Sequence, residues 1–473
     1  MTTTAPSAPA HRPARAGTRR GAATTTRPRR DARVRAASGA ALWAALLGVT
    51  WMWVADGGIQ AFSSWDGALT SLGRITGLAS AALLLAQVLL MARVPVLEAA
   101  FGRDRLVAIH RLVGLWSFDL LVAHVVLITW GYAAGSVTAW PGTFWELTWQ
   151  YPGMLLAVAG TAALVMVVVT SVRAARRRLR YESWHLLHLY GYLGAALALP
   201  HQLWTGEQFL ARPAVTALWW TVWALVLVAV LVWRLGLPLW RTWRHQVRVA
   251  GVVREGPDVV SVHLTGRDLD RLAVAGQFLV WRFLGRSGWT RGKPYSVSAD
   301  PTPGSLRVTV AAVGPGSGGL ALLRPGSRVL VEGAYGRLTA RVRSRRKVAL
   351  LGAGSGVAPL RALAEGLVYA PGDAVLVERF REQPLFADEL DHLAATRGLA
   401  VVRLPGRRRS EGSWVGPGFA GDDDARVLGG WIPDVAERDL YVCGPPGWTD
   451  AVRRAALAAG VPAAQIHSEN FGW

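Results

Sequence analysis

Long apolar segments dominate the first half of the chain, and short alternating segments dominate the second half. A helix that crosses a bilayer needs about 20 predominantly apolar residues. Six segments approach or reach this length, at about 39–55, 70–92, 106–131, 152–172, 184–204 and 214–236. The pattern therefore predicts a six-helix transmembrane bundle within residues 38–240.

After this bundle the pattern changes twice. Between 243 and 342, apolar runs such as VVSVHL and SLRVTVAAV alternate with Gly- and Pro-containing turns, which predicts an antiparallel β-barrel. From 343 to 473, strand-like and helical runs alternate, which is typical of a doubly wound α/β domain. Residues 1–37 are rich in Thr, Pro, Ala and Arg and lack apolar periodicity, so we expect a disordered basic tail.

Charge distinguishes the two sides of the predicted bundle. The chain carries 52 Lys and Arg against 31 Asp and Glu, although 52% of its residues are hydrophobic. Arginines cluster in the tail and at 93–105, 173–180 and 234–244, whereas the alternate loops carry almost none, Arg212 being the exception. The positive-inside rule then places both termini in the cytoplasm. We expect a multi-pass protein of the plasma membrane, in contact with lipid and without a nucleic-acid partner.

Cys443 is the sole cysteine. A single cysteine excludes a disulfide within the chain and an iron–sulfur cluster, which needs several thiolates or added histidines. Any redox chemistry must therefore use another cofactor.

Five histidines lie within the predicted spans, where ionisable groups are costly and commonly functional. They are His110, His124, His185, His188 and His201. His110 and His124 are fourteen residues apart, just under four helical turns, so their rings share nearly one face at two depths. On another span, the predicted depth of His188 matches that of His110, and the predicted depth of His201 matches that of His124. The couples His110/His188 and His124/His201 therefore predict two bis-imidazole metal sites, the arrangement that holds haem.

The thirteen-residue separation of His188 and His201 places their rings on different faces of an ideal helix. Pro200 directly precedes His201 and can re-aim its ring by kinking the helix. His185 is the alternative inner ligand. Structural histidines in hydrogen bonds are the alternative to haem binding altogether.

These residues resemble a known family. His110 and His124 on one helix, the segment YESWHLLH at 181–188, and His201 beyond it are similar to the ferric reductase and NADPH oxidase transmembrane superfamily. The resemblance implies that the four histidines bind two b-type haems. His110 and His188 would hold the inner haem, and His124 and His201 the outer one.

The segment RGKPYSVSADP places Lys293, Pro294, Tyr295 and Ser296 at a strand end of the predicted barrel. A cation there can meet a pyrophosphate, an aromatic ring can pack on an isoalloxazine, and a hydroxyl can reach a flavin nitrogen. The segment resembles the Arg-x-Tyr-Ser FAD motif of ferredoxin-reductase-like domains, with Lys293 replacing the usual Arg or His. The run VGPGSGGL resembles the family's Gly-rich FAD-pyrophosphate segment, with an ordinary surface loop as the alternative. Its candidate residues are Gly314, Gly316, Ser317 and Gly318.

Two further segments indicate a nicotinamide nucleotide. LLGAGSGVAPLRAL follows a predicted strand and opens a helix, and its G-x-G-x-G-x-x-P pattern resembles the NAD(P)H loop of the same superfamily. YVCGPPG is a second match, and in family members its cysteine borders the nicotinamide; a small buried apolar residue is the alternative role of Cys443. The candidate residues of the two segments are Gly352, Gly354, Gly356, Pro359, Cys443, Gly444 and Pro445.

The chain ends in HSENFGW. This ending resembles the terminal Glu-Asn-Phe of the oxidases, in which the aromatic ring covers the flavin. Phe471 has that place here, and Trp473 is the alternative.

The resemblance implies an NAD(P)H-dependent enzyme with FAD and two b-type haems, with catalytic candidates Ser296, Cys443 and Phe471. It would pass electrons to an external acceptor, a ferric chelate or oxygen. The coenzyme is NADPH or NADH. Arg379 and Arg381 after the second strand of the nucleotide domain can meet a 2′-phosphate, which favours NADPH, with solvated side chains as the equal alternative. The alternatives are a membrane-anchored flavin diaphorase without haem and a haem-carrying electron-transfer subunit without hydride chemistry.

Overall fold

The computed structural model describes residues 26–179, 181–206, 209, 212–256, 258–284, 289, 292–311, 319–419 and 421–470. Over these residues the chain forms a helical part, then a part built from two small antiparallel sheets, then a part built on one parallel sheet. The predicted order of the three parts along the chain is therefore observed.

The helical part begins with a helix that is already formed at Thr26. The helices are α1 (Thr26–Ala55), α2 (Trp65–Leu90), α3 (Pro95–Phe101), α4 (Arg103–Tyr132), α5 (Trp140–Gln150), α6 (Met154–Ser171), α7 (Arg173–Arg178), α8 (Tyr181–Trp204), α9 (Pro213–Ala229) and α10 (Leu237–His245). Ser64 caps α2 by accepting a hydrogen bond from the Gly67 backbone N–H at 3.1 Å. Helices α3 and α9 begin with proline. Proline lacks an N–H group, and the first N–H of a helix has no partner within the helix, so no hydrogen bond is lost.

Five helical segments within the described residues are long and apolar enough to cross a membrane. They are Arg29–Ala55, Trp65–Leu90, Arg105–Tyr132, Met154–Ser171 and Pro213–His245. The predicted span at 184–204 is helical as part of α8 but is not among these five, so the count of six spans is not confirmed. The histidines and other polar residues of α8 lower its mean hydropathy.

Residues 26–37 are helical rather than disordered, and residues 1–25 lie outside the described part of the chain. Alanine and arginine both favour helix. Two contacts also hold this end of α1: Arg35 donates to the carbonyl oxygen of Ala100 at 2.7 Å, and Arg337 lies 3.5 Å from Asp31. The tertiary contacts extend the helix beyond its apolar segment.

The described residues of the second part form six strands and one short α-helix. They are β1 (Arg248–Gly256), β2 (Val259–Thr265), α11 (Leu269–Leu272), β3 (Phe278–Phe283), β4 (Lys293–Ser296), β5 (Ser305–Ala311) and β6 (Val329–Tyr335). The strands form two antiparallel sheets with orders β1-β2-β5 and β4-β3-β6. Isolated bridges Arg248–Arg328 and Val297–Val308 connect the sheets around one apolar core. The described strands thus form two bridged sheets, and the predicted closed barrel is not confirmed.

The third part is a five-stranded parallel sheet with helices on both faces. Its elements are β7 (Val348–Ala353), α12 (Val357–Gly366), β8 (Ala374–Arg379), α13 (Ala387–Arg397), β9 (Ala400–Leu404), α14 (Asp424–Trp431), β10 (Asp439–Gly444), α15 (Pro446–Ala458) and β11 (Ile466–Asn470). The strand order is β11-β10-β7-β8-β9. Leu363 and Leu390 pack on one face, and Leu428 and Trp448 pack on the other. The two buried faces explain why these strands are almost uniformly apolar.

Candidate functional site

A cavity of about 2400 Å³ extends from the helical part to the two antiparallel sheets. Its lining includes the strand β4 and all four predicted metal ligands, which are His110, His124, His188 and His201. Pockets for one small ligand usually measure about 300–1,000 Å³. The cavity therefore has room for more than one cofactor.

The inner histidine couple lies at the end of the cavity nearer to β4. The ring centres of His110 and His188 are 6.1 Å apart. Nδ1 of His110 lies 3.2 Å from the carbonyl oxygen of Gln87, which can only accept, so this nitrogen carries the proton and Nε2 is left without one. Nδ1 of His188 lies 3.2 Å from the hydroxyl of Ser171. His185 also lines the cavity, while His188 is the residue opposite His110.

The outer couple joins the same two helices at another depth. The ring centres of His124 and His201 are 6.5 Å apart. Nδ1 of His124 is 2.7 Å from the carbonyl oxygen of Gly73, which again assigns the proton to Nδ1. Nδ1 of His201 is buried without a hydrogen-bond partner. Helix α8 continues through Pro200 to Trp204, and the His201 ring still faces His124.

Both couples have the spacing of two imidazoles on opposite sides of one metal ion. A metal–imidazole bond is about 2 Å long, so the two ligating nitrogens lie about 4 Å apart and the ring centres about 6 Å apart. Among the described residues, no group of three or more His, Cys, Asp or Glu side chains could hold a metal ion. The spacing of the two couples and the size of the cavity that they share fit bis-imidazole haem binding.

Glycine residues allow the helices to approach closely enough for these contacts. A Cβ atom on Gly77 of α2 would lie 2.5 Å from Nδ1 of His124. A Cβ atom on Gly160 of α6 would lie 2.7 Å from the carbonyl oxygen of Gly194 of α8. Glycine at these positions therefore sets the distance between the paired helices.

The predicted flavin residues form strand β4 and line the cavity near the inner couple. β4 pairs with β3, and the Trp281 ring N–H donates to the carbonyl oxygen of Tyr295 at 3.0 Å. The Ser296 hydroxyl is buried and has no hydrogen-bond partner, which is unusual for a buried polar group. This hydroxyl fits a hydrogen bond to a flavin nitrogen. Lys293 and Pro294 precede it on the same strand, and Gly314, Gly316, Ser317 and Gly318 lie outside the described residues.

The predicted nucleotide loop connects β7 to α12. Gly354 has a φ angle of +56°, and a Cβ atom on Gly356 would lie 2.3 Å from the carbonyl oxygen of Cys443 at the end of β10. Ser355, between these glycines, lines the same cavity as Ser296. The loop and the flavin strand therefore face one space. Three placements remain among the candidates. Gly352 is the penultimate residue of β7, and Pro359 is buried in the first turn of α12. Gly444 ends β10, and Pro445 directly precedes α15.

Cys443 is fully buried. Burial raises the pKa of its thiol, and the carboxylate of Glu469 raises that pKa further. A raised pKa favours the protonated thiol, which fits the small buried apolar role given above as the alternative for Cys443. Phe471 and Trp473 lie outside the described residues.

An ion pair and a hydrogen bond connect β6 to the loop between α2 and α3, a contact that the sequence did not predict and that we call the charged joint. Glu332 pairs with Arg93 and lies 3.2 Å from Arg282, while Arg93 donates to the Tyr335 hydroxyl. The guanidinium of Arg103 lies 5.2 Å from the centre of the Tyr335 ring. The sequence showed these arginines only as part of the basic loops used to predict orientation, so their pairing with β6 was not visible.

Residues 76–199 match the protein family described as "Ferric reductase like transmembrane component". The glycine betaine monooxygenase reductase subunit of Chromohalobacter salexigens is 27% identical over 242 residues, covering 49% of this chain and 66% of that protein. The ferredoxin reductase component of a Mycolicibacterium smegmatis 3-ketosteroid-9-alpha-monooxygenase is 31% identical over 241 residues, covering 48% and 65%. This chain thus spans just under two thirds of the length of these relatives.

Among solved structures, similarity extends to the flavohem-like FAD/NAD binding domain of a nitric oxide dioxygenase from Vibrio cholerae. The TM-score is 0.37 at 22% identity, covering 48% of this chain and 99% of that chain. The matches confirm the predicted resemblance to the superfamily. One segment of the chain is thus similar to a ferric reductase-like transmembrane component, and about half of the chain is similar to the reductase components of oxygenase systems.

Proposed function

We propose that the chain passes electrons from cytoplasmic NAD(P)H, through FAD and two b-type haems, to an acceptor outside the membrane, either a ferric chelate or oxygen. The observation that carries this proposal is that two facing histidine couples share one cavity with the flavin strand. When bound, FAD accepts the two electrons of a hydride and releases them singly to haem, which carries one electron at a time.

The histidines supply the haem ligands in this proposal. His110 and His188 hold the inner haem, and His124 and His201 hold the outer one. The carbonyl groups of Gln87 and Gly73 keep the protons of His110 and His124 on Nδ1, which leaves Nε2 available as the ligand. The apolar helices around the couples exclude water.

The cytoplasmic residues bind and orient the other two cofactors. With FAD bound, Lys293 would neutralise pyrophosphate charge, the Tyr295 ring would pack on the isoalloxazine, and the Ser296 hydroxyl would donate to a flavin nitrogen. The backbone N–H groups at the start of α12 bind the nucleotide pyrophosphate, and Cys443 borders the nicotinamide. The Gly-rich FAD segment at 313–320 and the covering role of Phe471, or alternatively Trp473, stay predictions.

An absorption spectrum of the purified full chain tests the proposal. We expect a flavin spectrum together with b-type haem bands, at about two haems per FAD, and anaerobic NAD(P)H should reduce the flavin and then the haem. Flavin without haem would favour the membrane-anchored diaphorase. Haem without flavin would favour an electron-transfer subunit that has no hydride chemistry.

A further inference from the structure

A cluster of two buried arginines and the half-buried Glu389 lies between the flavin-binding sheets and the nucleotide domain. Arg307 on β5 donates from Nη1 and Nη2 to the two carboxylate oxygens of Glu389 on α13, at 2.6 and 2.9 Å. Nε of Arg361 on α12 lies 2.6 Å from the same carboxylate. Both arginines are buried. One carboxylate thus joins three elements from two domains.

The same arginines hold the backbone that follows the flavin strand. The carbonyl oxygen of Ser298 accepts from Nη2 of Arg307 at 3.0 Å and from Nη1 of Arg361 at 3.3 Å. Nε of Arg307 donates to the Ser298 hydroxyl at 3.2 Å. Ser298 is fully buried and lies two residues after Ser296. The cluster is therefore attached to the strand that we assign to the flavin.

On its other side the cluster is attached to the nucleotide loop. Arg361 lies in the first half of α12, which directly follows the loop at 354–356. Glu365, one turn further along α12, accepts from the backbone N–H of Asp300 at 2.7 Å. Arg361 and Glu365 therefore connect the helix that follows the nucleotide loop to the segment that follows the flavin strand.

Two carboxylates face the two guanidiniums of the cluster: Glu389 contacts both arginines, and Glu365 pairs with Arg361. Burial acts to raise the pKa of Glu389, but the hydrogen bond from Arg307 and the charge of Arg361 outweigh it and hold that pKa below its ordinary value. His263 is the cross-strand neighbour of Arg307, and burial together with the charge of Arg307 lowers its pKa, which keeps it neutral. Glu389 is therefore ionised and holds the two guanidiniums together.

We propose that Glu389 is a positioning residue for hydride transfer, because it clamps Arg307 to Arg361 and so sets the separation between nicotinamide and flavin. This inference rests on the proposed function. In that reaction a hydride with its two electrons leaves the nicotinamide for the flavin, giving NAD(P)⁺ and reduced FAD. A misplacement of about 1 Å in such a reaction costs on the order of 100-fold in rate.

The test is Glu389→Gln in the full chain, which keeps the shape of the side chain and removes its charge. With saturating NADPH and no oxygen, the rate of flavin reduction should fall roughly 10- to 100-fold, and its deuterium isotope effect should rise. FAD content, the apparent Kd of the nucleotide and reoxidation by ferricyanide should not change. Asp391→Asn is the matched control, since Asp391 lies on the same helix but pairs with Arg403 of its own domain at 2.7 Å.

A wild-type rate of flavin reduction in Glu389→Gln, or a change in Kd alone, would overturn the proposal. If that variant loses FAD, Arg307→Lys replaces it, because lysine keeps the charge and loses the two-pronged hydrogen bond. Slow hydride transfer with normal FAD content supports the clamp. A wild-type rate, or loss of FAD in this variant too, contradicts it. A wild-type chain that binds FAD but is not reduced by nicotinamide would instead contradict the proposed function.

Discussion

The lack of a side chain at Gly77 determines where the ring of His124 can lie. A Cβ atom at this position would lie 2.5 Å from Nδ1 and 2.8 Å from Cε1 of His124, on a ring that Gly73 already holds through its carbonyl group. The close approach of α2 thus serves two purposes. It fixes the tautomer of His124 and directs the ring toward His201.

We therefore expect Gly77→Ala to displace His124 and remove the outer haem, although alanine favours helix more than glycine does. Haem content should fall by about half in the absorption spectrum, because each iron needs both imidazoles. Gly48→Ala is the control, since a Cβ atom there meets nothing within 4 Å. Unchanged haem content in Gly77→Ala would contradict the assigned outer site.

Arg379 is the residue best placed to recognise a coenzyme phosphate. It is buried at the carboxyl end of β8, where Nη2 donates to the Gly406 carbonyl oxygen at 3.1 Å and Nη1 has no hydrogen-bond partner. Burial and the nearby charge of Arg408 lower its pKa. A buried cation beside a second cation favours an anionic ligand. The 2′-phosphate of NADPH has that chemistry.

The expected consequence is coenzyme-specific. Arg379→Met should raise the KM for NADPH about 10- to 100-fold, because a hydrogen bond to a charged group contributes about 1.5–3 kcal/mol. The KM for NADH should stay the same. Arg453→Met is the control, since Arg453 is exposed on α15 and belongs to no candidate site. An equal loss with both coenzymes would show that Arg379 supports the fold and does not distinguish the phosphate.

At the scale of helices, the sequence predicted α4 well and α8 less well. The apolar run of α4 and the fourteen-residue spacing determine which rings share a face, and both are local properties. The orientation of His201 is not local. It depends on the helical path through Pro200 and on the close packing of Gly153, where a Cβ atom would lie 2.9 Å from the His201 backbone nitrogen.

At the scale of strands, alternation predicted the segments but not their assembly. Whether two sheets close into a barrel depends on register and tilt between distant strands, which periodicity does not report. The clamp was missed for a similar reason. Arg307 in SLRVTV resembles any charged residue on a strand, and its partner Glu389 is 82 positions away in the sequence.

Across the whole molecule, the charged joint connects β6 to the helical part, beside the cavity that the flavin strand and the inner histidine couple share. Glu332 of the joint, Lys293 of the flavin strand and His110 of the inner couple all line one cavity. The other couple lies deeper: fourteen residues of helix separate His124 from His110, a rise of about 21 Å. This arrangement predicts an order of electron flow in which the inner couple comes first.

Two alanine variants test that order. His201→Ala should remove the outer haem, so haem content should fall by about half. NAD(P)H should still reduce FAD, a cytoplasmic dye and the inner haem, because these reactions precede the lesion. Reduction of an impermeant external acceptor should nearly vanish, since the gap left across the membrane is too long for efficient electron transfer.

His188→Ala is the informative comparison, because it interrupts the same path one site earlier. It should leave flavin reduction intact and leave the outer couple able to hold its haem, yet NAD(P)H should no longer reduce that haem. Dithionite should still reduce it, which shows that the haem is present and only disconnected. Two haems per chain and full external reduction in His201→Ala, or normal outer-haem reduction in His188→Ala, would show that the histidines are paired differently.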